Sequence, residues 1–92
     1  MKKEEIAAQV RQVIIDQCGY PQDQVTEEKD LEKDLIFDTL DLCELAMNLE
    51  ETFNLAILED EANAMHTVGD WTRLVEGKME ILGRIENGCE TR

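Results

Sequence analysis

A single all-helical domain is the fold class this chain predicts, and three observations carry the prediction. Apolar residues recur every three or four positions in three separate stretches, the period that lines one side of a helix. No run of β-branched or aromatic residues alternates with polar ones for long enough to make a strand. The apolar fraction of 42% includes only 4% aromatic residues, so the core has to be built from aliphatic side chains packed between helices. With 92 residues the chain buries only about two thirds of its unfolded surface, which permits one thin core and one domain.

Each element follows in order. The first helix is predicted over about Lys3 to Cys18, where Ile6, Val10, Val13 and Ile14 form one stripe and Glu4 and Glu5 meet the positive end of the dipole. Gly19 is placed for a left-handed cap, and Pro21 cannot continue the helix. The connection to Asp38 is long for so small a domain, but Val25, Leu31 and Leu35 predict an ordered loop anchored on the helices, with one helical turn opening at Thr26. A second helix runs from about Thr39 to Phe53 behind the N-cap Asp38, with Asp41 in the reciprocal position of a capping box. Its predicted core stripe is Leu42, Leu45, Ala46, Leu49 and Phe53, and its outer face is Asp41, Glu44, Asn48 and Glu51. A short third helix falls between Glu59 and Met65. Thr67 and Asp70 then cap a fourth, in which Val68, Trp71, Leu74, Val75, Met79 and Leu82 share a face and Gly77 costs about 1 kcal/mol relative to alanine. Gly83 and Gly88 predict that the domain ends near residue 85 and that 86–92 fray.

The composition excludes several function classes. A net charge of -13, from 22 acidic and 9 basic residues, argues against nucleic-acid binding, which needs Lys and Arg to neutralise phosphates. It favours partners with basic faces. There is no apolar run of the roughly 18 residues a membrane span requires and no signal-peptide core, which predicts a cytoplasmic protein without membrane insertion. Cys18, Cys43 and Cys89 are odd in number and widely spaced, as expected of reduced thiols rather than a disulfide framework or zinc site. His66 is the only histidine, and no nucleophile, base and oxyanion donor come together in the sequence; an enzyme is not expected. Asp30, Glu32, Asp34 and Asp41 do not make a calcium loop, because Leu35 stands where the loop needs glycine; no metal site is predicted.

The most informative stretch is Asp34-Leu35-Ile36-Phe37-Asp38-Thr39-Leu40-Asp41, followed by the amphipathic run to Phe53 and preceded by Val25-Thr26. It resembles the acyl carrier protein family, whose pattern is Asp-Leu-Gly-Xaa-Asp-Ser-Leu-Asp, and the similarity extends from the first helix to about Met79. The resemblance implies a four-helix bundle of three longer helices and one short one, with a long ordered loop between the first two. It also implies a 4'-phosphopantetheine arm that holds acyl groups as thioesters for fatty-acid or polyketide type enzymes. Thr39 matches the serine that carries the arm. Asp38, Leu40, Asp41, Glu44, Met47, Glu50 and Glu51 match partner-docking positions, and Leu49 and Ile57 match the acyl-chain pocket. The implied partners of this expected monomer are a phosphopantetheinyl transferase and the acyl transferases and synthases that present basic patches.

Two departures from the pattern set expectations of their own. Ile36 replaces the family's glycine, which predicts either a differently built turn or an extended isoleucine. Thr39 replaces serine, and its γ-methyl crowds the hydroxyl and predicts slower modification. The alternative is a carrier-like interaction or regulatory protein that has lost the arm and docks partners through its acidic helix.

Overall fold

The computed structural model describes residues 1–85, so the predicted fraying of 86–92 lies outside the described residues. Four α-helices follow one another as α1 (Lys3–Cys18), α2 (Thr39–Phe53), α3 (Glu59–Asn63) and α4 (Val68–Ile81). Helix α1 packs most extensively on α4 and also against α2, while α3 packs on α2.

The helix ends lie where local chemistry puts them. At the end of α1, Gly19 adopts φ 77° and its N–H donates to the Ile15 carbonyl at 2.8 Å, closing the left-handed cap. Thr67 caps α4 as predicted, its hydroxyl accepting the Asp70 N–H at 3.0 Å while the Asp70 carboxylate accepts the Thr67 N–H at 3.1 Å. That carboxylate also accepts the His66 N–H at 3.0 Å and the Arg73 guanidinium at 2.8 Å. The His66 and Thr67 amides, followed by Arg73, hold the Asp70 carboxyl below the usual carboxylate range.

The core combines three helices and the long loop. Ile6, Val10 and Ile14 of α1 meet Leu45, Leu49 and Phe53 of α2 and Val68, Trp71, Val75 and Met79 of α4. Val25, Leu31 and Leu35 are buried among them, as the loop's spacing predicted, and Phe37 is a fourth loop anchor that the periodicity did not reveal. A 3-10 turn at Gln22–Gln24 joins the expected turn at Thr26, where the Lys29 N–H donates to the Thr26 carbonyl at 3.1 Å.

The loop is also hydrogen-bonded in place. Arg11 donates from Nε to the Val25 carbonyl at 2.9 Å and from Nη2 to the Gln22 carbonyl at 3.0 Å. The first two amides of α4, Val68 and Gly69, donate to the loop carbonyls of Lys29 and Glu27 at 3.0 and 2.8 Å. These amides have no partner inside their own helix, so the loop satisfies them. The backbone approaches so closely that a Cβ on Gly69 would lie 3.1 Å from the Glu27 carbonyl oxygen. Leu74 is only half-buried and Leu82 is exposed, so the far end of the α4 stripe covers less of the core than its spacing suggests.

Candidate functional site

The site begins at the junction of loop and α2. The Asp38 carboxylate accepts the Asp41 N–H at 2.9 Å, and the Asp41 carboxylate returns to accept the Asp38 N–H at 3.1 Å. The capping box expected from the sequence is therefore complete, with aspartate in the place usually held by glutamate or glutamine. Both residues matched docking positions, and both have this local structural task. Thr39 is the first residue of α2 and is exposed, and neither its amide nor that of Leu40 donates to another group among the described residues. A hydroxyl thus stands beside two free N–H groups at the positive end of a 15-residue helix, a setting that favours a phosphate group.

Ile36 departs from the extended conformation expected as one alternative. It is not extended: it takes φ 61°, the left-handed conformation that glycine adopts without cost. For a β-branched residue this is a true outlier, costing on the order of 1–2 kcal/mol. The cause lies on either side of it. Leu35 and Phe37 are both buried, and their N–H groups donate to the Asp30 carbonyl at 3.2 Å and the Leu31 carbonyl at 2.8 Å. The backbone at residue 36 is fixed by these anchors while its side chain, 68% exposed, points into solvent.

The predicted outer face of α2 is exposed at Glu44, Asn48 and Glu51, and apolar side chains join it. The exposed stripe is Leu40, Glu44, Met47 and Glu51, with Leu40 67% and Met47 57% exposed. Asn48, assigned to the outer face, is exposed there and donates to Gln17 of α1 at 3.2 Å, while Asp41 is half-buried and its backbone carbonyl accepts from Gln17 at 2.6 Å. Two exposed apolar side chains flanked by two exposed carboxylates make a surface with both contact area and charge.

On the other side of Thr39 a cleft of about 380 Å³ opens between α2 and α3. Thr39 stands at its edge, and its apolar walls are Leu42, Ala46, Met47, Ile57, Ala62 and Met65. Ile57, matched to the acyl-chain pocket, lines this cleft. Leu49, matched to the same pocket, does not line this cleft and is fully buried in the core. Leu42 and Ala46, predicted as core, are half-buried and form the cleft wall in its place, with the small side chains of Ala46 and Ala62 leaving the space open. Their positions at the edge of the α2 stripe were the only sequence signal for this role. A larger hollow of about 570 Å³ near Phe53, Met79 and Arg84 contains none of the predicted site residues.

Two carboxylates hold the cleft's far wall. Glu50 accepts the Ile57 N–H at 2.8 Å, so this predicted docking residue folds back and ties the segment after α2 to the helix. Glu61 accepts the Leu58 N–H at 2.8 Å and pairs with Lys78 at 2.9 Å, fastening α3 to α4. The Leu58 amide and then the Lys78 ammonium hold the Glu61 carboxyl below its usual range.

The comparisons with known proteins agree with this geometry. The family described as "Phosphopantetheine attachment site" matches residues 8–75. An acyl carrier protein of Saccharopolyspora erythraea is 34% identical over 85 residues, covering 92% of this chain and 86% of its own. One from Exiguobacterium sibiricum is 37% identical over 76 residues, covering 83% of this chain and 96% of its own. The solved acyl carrier protein of Enterococcus faecalis superposes with a TM-score of 0.72 at 27% identity, covering 85% of this chain and 99% of its own. In such proteins the arm is 4'-phosphopantetheine, covalently attached, and the exposed hydroxyl with free neighbouring amides suits that group. From its fold, its capped α2 and these relatives, the chain belongs to the acyl carrier protein family.

Proposed function

We propose that Thr39 is the attachment point of the phosphopantetheine arm and that the protein carries acyl groups between enzymes of a fatty-acid or polyketide type pathway in the cytoplasm. The observation that carries this reading is the placement of the Thr39 hydroxyl at the exposed start of α2, at the edge of the apolar cleft. When bound, the arm supplies a thiol that holds acyl groups as thioesters. The chain's own residues do the rest. The Thr39 and Leu40 amides offer hydrogen bonds to a phosphate diester, and Leu42, Ala46, Ile57 and Met65 offer an acyl chain a surface away from water. Glu44 and Glu51, alternating with Leu40 and Met47 along α2, offer enzymes with basic patches a docking face that engages and releases quickly. Asp38, Asp41 and Glu50 support that face by fixing the backbone beneath it.

The γ-methyl of Thr39 restricts χ1 and slows the hydroxyl's approach to the coenzyme A phosphate without removing its nucleophilic oxygen. The test is intact mass after incubation with coenzyme A and a broad-specificity phosphopantetheinyl transferase. A gain of one phosphopantetheine group, abolished in Thr39→Ala and faster in Thr39→Ser, is the expected result. If wild type gains nothing while Thr39→Ser is loaded, the arm-less alternative is the correct one.

A further inference from the structure

Ile36 occupies a conformation that works against it and receives little packing in return, since its side chain is 68% exposed. Glycine would relieve the backbone at no loss to the core. Strain held in place by surrounding anchors at a surface position points to a use for the side chain outside the fold. Its neighbours indicate what that use is. Ile36 lies three residues upstream of Thr39 and the exposed Leu40 directly downstream, so the chain carries an exposed apolar residue on either side of the hydroxyl-bearing one. Asp34, Asp38 and Glu44 are exposed around them. An enzyme that acts on the Thr39 oxygen itself has to cover both flanks of that residue, whereas an enzyme that acts on cargo at the far end of an arm does not. We infer that the Ile36 side chain is a specificity contact for the transferase that modifies Thr39, seating in a shallow apolar depression ringed by Lys and Arg. This inference rests on the assignment of Thr39 as the attachment point.

The experiment is the dissociation constant of a purified broad-specificity phosphopantetheinyl transferase for wild type, Ile36→Gly and Ile36→Asn, at low and high salt. Both replacements tolerate the left-handed backbone and remove the apolar contact. Both are expected to melt no lower than wild type yet to raise Kd about five- to tenfold, the scale of one partly buried aliphatic side chain. The fold-loss should be the same at both salt concentrations, whereas the loss in Glu44→Lys should shrink at high salt. Unchanged affinity in the Ile36 variants, or no measurable binding of wild type, overturns the inference. Intact mass read in parallel separates the two ideas. Wild type that binds but is never modified at Thr39 refutes the attachment point, while a Kd rise in the Ile36 variants still supports the contact.

Discussion

Replacing Glu50 separates two roles that one acidic residue on α2 could have. Its carboxylate accepts the Ile57 N–H at 2.8 Å in a half-buried setting, so removing it leaves a backbone amide without its partner beside the cleft. A hydrogen bond to a neutral amide oxygen, the acceptor that glutamine keeps, contributes about 0.5–1.5 kcal/mol, so about 1 kcal/mol separates the two variants. Removing a negative charge acts the other way, because a chain of net charge -13 repels itself. The comparison of Glu50→Ala with Glu50→Gln cancels that charge effect, since both lose the charge and only glutamine keeps an acceptor oxygen. Glutamine is therefore expected to be the more stable variant by about 1 kcal/mol, or about 4–8 °C in Tm for a domain of this size. Thermal unfolding followed by far-UV circular dichroism at physiological ionic strength measures the difference. Two variants melting within about a degree of one another would refute the structural role and return Glu50 to the docking face.

Two further predictions use the glycines of α4 and the pH. Gly77 is exposed with nothing near its missing Cβ, so Gly77→Ala should stabilise by about 1 kcal/mol, while Gly69→Ala should forfeit that gain against the Glu27 carbonyl; chemical denaturation of both variants tests the contrast. Asp70 and Glu61 have folded pKa values below their unfolded ones, so each contributes stability above roughly pH 4 and loses it as pH falls through the lower folded value. Tm at constant ionic strength should therefore fall as pH drops below about 4; a Tm still rising at about pH 3 would contradict the assignment.

What the sequence reveals here is what local chemistry decides. Helix α1 ends at Gly19, and α2 and α4 begin behind Asp38 and Thr67, because caps act over a few residues, and the Asp38–Asp41 box was visible for the same reason. The cleft was only partly legible, because its walls depend on the angle at which α2 meets α3. Periodicity alone put Leu42 and Ala46 in the core, and the family pattern put Leu49 in the pocket. Glu50 shows a second limit, since a carboxylate at the edge of a helix face reads the same whether it meets a partner or folds back onto an amide. Ile36 shows a third. Its conformation is dictated by the burial of Leu35 and Phe37 on either side, and without Phe37 recognised as an anchor the left-handed turn could not be deduced.

The central claim is that Thr39, a threonine in a serine's place, bears the arm. The most direct test is the mass of the protein purified from its own cells, with fragmentation to locate any added group. One phosphopantetheine on Thr39 is the predicted result. A chain that is unmodified in cells whose other carriers are fully loaded would contradict it.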